Sequence, residues 1–571
     1  MDTPDHIAQR KARGDAVAKR WGIIGASLSQ WMTTWQEFSD YMMPRKSGSQ
    51  TNKESPGQIR QQTLWDATAE EAILTAAAGT ITHLTPAGDR WMALSPGAGA
   101  TDEVKHWFSQ ATDAVMAELY ASDFYHAWHE SLIDAFLYGT FAHLVLPSAH
   151  SRTHHESLRI GSYTIVEDHE RRVVGLYRCD EFTLPMMVSA FGEESLSGCR
   201  TLQERWSEIV NGRGEGDPNK RWKVVHAIEP RNNWDRTSRG MVSTERPWTD
   251  DYVVLDAGNH VLSEGGYHSF PAAVCRVMRS NDPCEIFGRS PAFRALPMVK
   301  QLNVMEEDSV LAIELMVRPG WLMPQDSAFL PDNRPDGITF WDPSNAANRP
   351  EQLLRQNRVD IAEQKLEQCR QRVRNCFYND LFRMFTNPDE VRRVKTAFEV
   401  AQMRDERLIM FTPMFSAITE QGLDRIIERT FDVLLRVGAI EQPPESIAMS
   451  GGDYKIEYQS KMALAIRAAN TTSTMQGMEF IAQAAQIAPE MRHLIKWGKA
   501  GKAVLLNMGV PADSLNTEEE VADLMEMEAQ QAAAAQQTAL AAQSAEAERN
   551  MAAATRDAGQ TAALMSGGGK R

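Results

Sequence analysis

The spacing of apolar residues divides this chain into a helical beginning, a strand-rich middle and a second helical half. From residue 7 to 43, Trp21, Ile24, Leu28, Trp31, Trp35 and Phe38 recur every three or four positions, which predicts helices. Pro44 ends that run, and a polar loop follows. Residues 66–85 predict another helix, Ala-rich and small enough on one face for close packing. Residues 107–140 predict two more, breaking near Ser122–Asp123. Between 141 and 285 the pattern changes to short runs of Val, Ile and Tyr between turn residues, as in FAHLVL, RRVVGLYRC and RWKVVHAIEP. These predict strands, with LQERWSEIVNG among them as a helix.

In the second half, residues 299–318 predict a helix stopped by Pro319–Gly320, and a proline-dense stretch follows with only short strands such as GITFW. A long helix comes next, in which Val359, Ala362, Leu366, Cys369, Val373 and Cys376 form a coiled-coil-like seam. Another helix starts with Asn387 as N-cap and Pro388 at its first position and runs to Val437, with a kink expected at Pro413. Beyond residue 442 lies a small all-helical unit, and then Thr517 and Glu520 set a capping box. From 527 to 565 the chain holds sixteen alanines and no proline or aromatic residue. Composition favours helix there, yet Met527, Leu540, Met551, Leu564 and Met565 are too sparse to bury it in an ordinary core.

With 571 residues and 43% apolar content, several domains with real cores are expected. No apolar run approaches transmembrane length, and the polar start MDTPDHIAQRKARGD lacks a secretory core. Six cysteines form no CxxC pair, so reduced thiols made in a cytoplasm are expected. A net charge of -16 argues against tight nucleic-acid binding, though not against a surface past which DNA slides. GKAGKAV (498–504) lacks the loop length and the Ser or Thr of a phosphate loop, and NGRGEGD (211–217) precedes no helix. HSRTHHE (150–156) has no second ligand cluster for zinc, and HAWHE (126–130) has the wrong spacing for a zinc protease. The acidic runs at 306–309 and 518–528 read as solvated helix faces. The expectation is a protein without a catalytic, cofactor or metal site.

Four ordered blocks remain. In DATAEEAILTAAAGTITHLTPAGDRWMALSP, Asp66, Thr68, Leu84, Thr85, Pro86, Trp91 and Leu94 mark the first, with Ala67 and Met92 departing from its usual Ser and Phe. The second contains Gly265, Tyr267, Phe270-Pro271, Arg276, Gly288-Arg289-Ser290-Pro291, Leu296-Pro297 and Leu302-Asn303, with Phe287 in place of a usual Tyr. TAFEVAQMRDERLIMFTP and IEYQSKMALAIRAAN supply the third and fourth. Together, over about residues 7–510, they resemble the head-to-tail connector (portal) proteins of short-tailed, podovirus-type bacteriophages.

The resemblance implies an α+β, mainly helical portal fold, closed into a dodecameric ring at one capsid vertex through which DNA is packaged and ejected. It names the pieces: 1–290 as an α/β wing, 291–318 as a first stem helix, 319–354 as a Pro-rich clip and 355–385 as a second stem helix. Residues 386–395 become a tunnel loop and helix start, 396–441 a long kinked wing helix and 442–516 a helical crown facing the capsid interior. The Ala/Gln-rich 517–571 forms either a helical barrel on the ring axis or a flexible tail, and both readings stay open. Arg383, Thr386, Asn387, Asp389, Glu390, Arg392, Arg393 and Lys395 are the expected channel residues, although the basic ones equally suit solvent or pairing with Asp389 and Glu390. Trp321, Phe329, Phe340 and Trp341 are the expected clip residues for docking terminase or a tail adaptor. Implied partners are other copies of the chain, terminase, major capsid and scaffolding proteins, tail adaptor and nozzle proteins, and double-stranded DNA held without sequence preference. No membrane or cofactor is implied, ATP hydrolysis belongs to a separate terminase, and the protein is placed in the virion after synthesis in the host cytoplasm. The rival reading is a helical scaffolding or adaptor protein without a channel.

Overall fold

The computed structural model describes residues 4–49, 64–96, 101–148, 151–211, 217–231, 243–282, 285–318, 321–322, 351–352, 359–386, 397–444 and 454–460, with scattered positions beyond. The chain divides into two compact units, Met1–Ile466 and Arg467–Arg571. In the second, the described positions, 478–481 and 548–551 among them, are helical. Most of the expected crown and Ala-rich helix lies outside the described residues.

The first unit opens with α1 (Pro4–Gly25), α2 (Leu28–Met42) and α3 (Thr68–Leu84), followed by β1 (Met92–Pro96), α4 (Asp102–Ala121) and α5 (Phe124–Leu137). The break between the last two falls at Ser122–Asp123, as the pattern predicts. Trp35, Phe38 and Met42 of α2 and Ala69, Ala72, Ile73, Ala76 and Ala77 of α3 enter one large core. With four alanines beside Ile73 on that face of α3, neighbouring helices approach closely.

The strands are β2 (Thr140–Pro147), β3 (Thr153–Leu158), β4 (Tyr163–Glu167) and β5 (Val173–Thr183), then, after α6 (Leu184–Phe191) and α7 (Arg200–Asn211), β6 (Arg221–Ile228), β7 (Trp248–Val254), β8 (His260–Tyr267) and β9 (Ala272–Arg276). They make two antiparallel sheets, one ordered β3-β2-β9 and one a meander from β4 to β8. Thr140–Val145 of β2 are all buried, so this strand is covered on both faces. The meander is covered on one face by Leu184, Met187 and Leu202 of α6 and α7 against Trp222, Val224 and Val254. Val17 of α1 packs with Tyr177, Val225 and Val253 in a separate cluster. Gly14 makes that close approach: a Cβ there would sit 2.0 Å from the Asn259 carbonyl oxygen. Arg13 beside it donates through Nη2 to Asp251 Oδ2 at 2.6 Å.

The remaining elements are α8 (Ala292–Val317), β10 (Trp321–Leu322), β11 (Glu351–Gln352), α9 (Val359–Cys376), α10 (Asn379–Thr386), α11 (Ala397–Ala417), a π-helical segment (Ile418–Leu423), α12 (Asp424–Val437) and β12 (Tyr454–Tyr458). Three expectations change here. The single helix expected over 355–385 is two, α9 and α10, separated at Tyr378, whose φ is 58°. Pro413 lies inside α11, and the departure from α-geometry comes later, at Ile418–Leu423. Tertiary contact accounts for its place: Gln421 Oε1 accepts the Arg276 N–H of β9 at 3.2 Å. Finally, the stretch expected as a helical crown begins with a strand, since β12 pairs with β1 in the first unit. The helix start expected at Asn387 and Pro388 lies outside the described residues.

Candidate assembly and conduit surface

Helices α8 and α9 lie side by side, with Leu302, Leu366 and Cys369 buried between them and Met305 packed alongside. Of the expected seam, Leu366, Cys369 and Val373 are buried, while Ala362 and Cys376 are half-buried. The base of this pair is tied to the body by one carboxylate. Asp66 Oδ1 accepts the Thr68 N–H at 2.8 Å, at the start of α3, and Oδ2 accepts Arg370 Nε of α9 at 3.0 Å. Arg370 also donates to Glu306 of α8 and lies 3.8 Å from Glu367. Burial pulls the Arg370 pKa down, but the Asp66 hydrogen bond and the charges of Glu306, Asp66 and Glu367 outweigh it and raise the pKa. Asn303 of α8 adds a second tie, its Oδ1 accepting the Trp65 N–H at 2.7 Å.

Beyond this base α8 loses its cover. No residue from Glu307 to Arg318 is buried within the chain. Val310, Leu311, Ile313, Leu315, Met316 and Val317 are exposed, Val317 to 72%. At 100° per residue these side chains surround the helix rather than forming a stripe, a distribution that belongs to a helix buried on all sides. Glu307, Asp308 and Glu314 share the same segment and are exposed. The result is an apolar and acidic arm.

The expected clip residues are only partly placed. Trp321 pairs with Gln352 and Leu322 with Glu351, so the proline-dense stretch leaves and returns at one antiparallel ladder. Phe329, Phe340 and Trp341 lie outside the described residues. Among the expected channel residues, Arg383 and Thr386 belong to α10, while Asn387, Asp389, Glu390, Arg392, Arg393 and Lys395 lie outside the described residues. The placed residues therefore do not gather into one site. Arg370 and the exposed apolar arm are features that motif reading missed, and Asp66 was marked in its block without its partner. The all-round apolar run from Val310 to Val317 was the available signal for the arm.

The buried histidines carry only internal contacts among the described residues. His143 Nε2 and His155 Nδ1 share a hydrogen bond of 3.1 Å, and burial lowers both pKa values, that of His155 to about 3. Among the described residues, no group of three or more His, Cys, Asp or Glu side chains could hold a metal. None of the described helices is long and apolar enough to cross a membrane.

Comparison with known proteins decides the class. The model of the family described as bacteriophage head to tail connecting protein matches residues 14–515. The chain belongs to that family. It is 29% identical over 529 residues to the probable portal protein of Bordetella phage BPP-1, covering 90% of this chain and 91% of the relative. It is also 26% identical over 515 residues to the portal protein of Salmonella phage epsilon15, with 88% of each covered. The family is structural and not enzymatic.

The blocks by which this connector resembles its family serve to position α8, α9 and α3. Asp66 and Asn303 hold the base of the arm. Gly288 crosses Gly139, where a Cβ would stand 2.5 Å from the Gly139 oxygen, and the Gly288 N–H donates to Thr140 Oγ1 at 2.7 Å. Ser290 Oγ donates to the Leu137 carbonyl at 2.7 Å and accepts the Ala292 N–H at 3.2 Å, fixing the start of α8 to the end of α5. Arg276, 3% exposed, donates to Glu167 and to the Ile286 and Arg171 carbonyls. Trp91 stacks with Phe124 and with Tyr458, with centroids at 6.5 and 6.4 Å.

Proposed function

We propose that this connector is a phage portal, a ring of identical chains at one capsid vertex through which the genome enters and leaves. The observation that carries the reading is the arm of α8. Six large apolar side chains exposed around one helix, on a chain of the connector family, need neighbours to cover them, and the partner at hand is the next copy of the same chain. A heterologous contact repeated by rotation closes into a ring. In this arrangement α8 and α9 are the stem, the strand-rich body is the wing, and the stretch between β10 and β11 is the clip.

The charge balance suits a conduit. Exposed carboxylates on α8 and a chain charge of -16 disfavour phosphate binding, so a duplex passes without being gripped. The ring is a passive channel and docking platform in the virion, and the energy for packaging comes from a separate terminase. A dodecamer, contact of the clip aromatics with terminase and then tail proteins, and transient phosphate contacts from Arg383, Arg392, Arg393 and Lys395 complete the proposal.

Ile313→Asp tests the carrying observation. Ile313 is 46% exposed in the chain, so its replacement should change the stability of the isolated subunit by no more than about 0.5 kcal/mol. Between neighbours it would bury an unpaired charge and prevent closure. Light scattering that finds Ile313→Asp assembling like the parent chain would remove α8 from the subunit contact.

A further inference from the structure

At the junction of α9 and α10 the residue pattern and the backbone part ways. Leu366, Cys369, Val373, Phe377, Leu381 and Met384 are spaced by three and four, one stripe running through the junction without a change of phase. Neither Pro nor Gly occurs between Val359 and Thr386. Such a segment favours one continuous helix. Instead the helix stops at Cys376 and restarts at Asn379, because Tyr378 adopts φ 58°. A bulky L-residue in that region is strained. Asn379 next to it is 3% exposed, and its Oδ1 is buried without a hydrogen-bond partner, a second cost of the break.

Opposing contacts hold the bend. Gln371 Nε2 of α9 donates to Asp380 Oδ1 of α10 at 3.2 Å, although nine residues of continuous helix would separate them by about 13 Å along the axis. Arg407 Nη1 of α11 pairs with Asp380 Oδ2 at 3.2 Å. Phe382 lies over Gly79 of α3, where a Cβ would be 2.5 Å from its ring. The Phe411 ring stands 5.2 Å from Tyr378 and 5.8 Å from Phe382, centroid to centroid. Local sequence and local strain therefore favour a straight helix, while contacts with α3, α9 and α11 favour the bend.

We propose that Tyr378 is a two-state joint. The bent α9–α10 pair interconverts with one continuous helix from Val359 to Thr386, and Asp380 is the latch of the bent state. Straightening separates Asp380 from Gln371, lifts Phe382 from Gly79 and changes the direction of α10. Arg370 keeps α9 clamped to Asp66 and Glu306, so the change is confined to the far side of the joint. The joint stands independently of the conduit reading, since every contact in it lies within one chain.

Spin labels on unnatural side chains at positions 363 and 386 of the full chain measure the two states by their separation. On a continuous helix these positions lie about 35 Å apart, and in the bent pair they are closer. The wild-type chain should show both separations. Tyr378→Gly removes the penalty of the left-handed conformation and should reduce the long component about tenfold. Tyr378→Ala keeps that penalty while losing the contact on Phe411, and Asp380→Asn weakens the latch by removing the charge that pairs with Arg407, without touching residue 378. Both should enrich the long component. If Tyr378→Ala does not fold, as judged by its circular dichroism, Asp380→Asn carries the comparison. One short separation common to all the folded chains would overturn the proposal, as would a long component undiminished in Tyr378→Gly.

Discussion

Asp424 shows how a single carboxylate couples distant segments and responds to pH. It begins α12, and its Oδ1 accepts the Tyr458 hydroxyl of β12. Burial pushes its pKa up to about 6, while that hydrogen bond acts in the opposite direction. The unfolded carboxyl titrates near 3.9. The folded chain thus binds the proton more tightly, and the stabilisation from Asp424 is complete below about pH 4 and is lost as pH rises through about 6. Asp424→Asn cannot ionise and retains an acceptor for Tyr458. Its stability relative to wild type, measured by urea unfolding, should be unchanged near pH 4 and rise to an advantage of about 1–2 kcal/mol by pH 8, allowing for solvent screening. A constant difference across that range would show that Asp424 titrates normally. The acid-side loss expected from His155 has the opposite sign: burial holds its pKa near 3, so its stabilisation is present above about 6.5 and falls as pH drops toward 3. Because His155 is common to both chains, the comparison isolates Asp424.

Elements were legible where their cause is local. The three-to-four spacing predicts α1 and α2, Ala-rich composition predicts α3, and the strand-rich middle follows from its Val, Ile and Tyr runs. Helix α6 was missed: LPMMVSAF is a short apolar run whose period does not distinguish helix from strand, although Pro185 marks a helix start. The π-helical segment and the break at Tyr378 were not legible, since partners hundreds of residues away in sequence or on other helices set them. Gly422 in the π-helical segment illustrates this, for a Cβ there would lie 2.8 Å from the Phe141 ring of β2. Phe141 is fully buried and has little room to yield. Gly422→Ala should therefore destabilise the folded chain by about 1–3 kcal/mol in a denaturant titration. Unchanged stability would mean that the segment has slack against β2. Asp66 was visible as part of a block, but its partner Arg370 is 304 residues away and no spacing rule joins them.

At the scale of the whole molecule, the family match and the shape of the chain complement each other. The match extends from residue 14 to 515 and identifies a structural connector. In the folded body the matching blocks seat the α8–α9 pair, and among the described residues the far end of α8, from Glu307 to Arg318, has no buried residue. Under the proposed function, the next copy covers the exposed arm of each subunit, and closure of a ring would complete every copy equally. Electron microscopy of the purified full chain, with mass by light scattering, tests this most directly. Closed rings around a central hole, with a mass near that of a dodecamer, are the expected result. A stable dimer or an open filament under all conditions tried would contradict it.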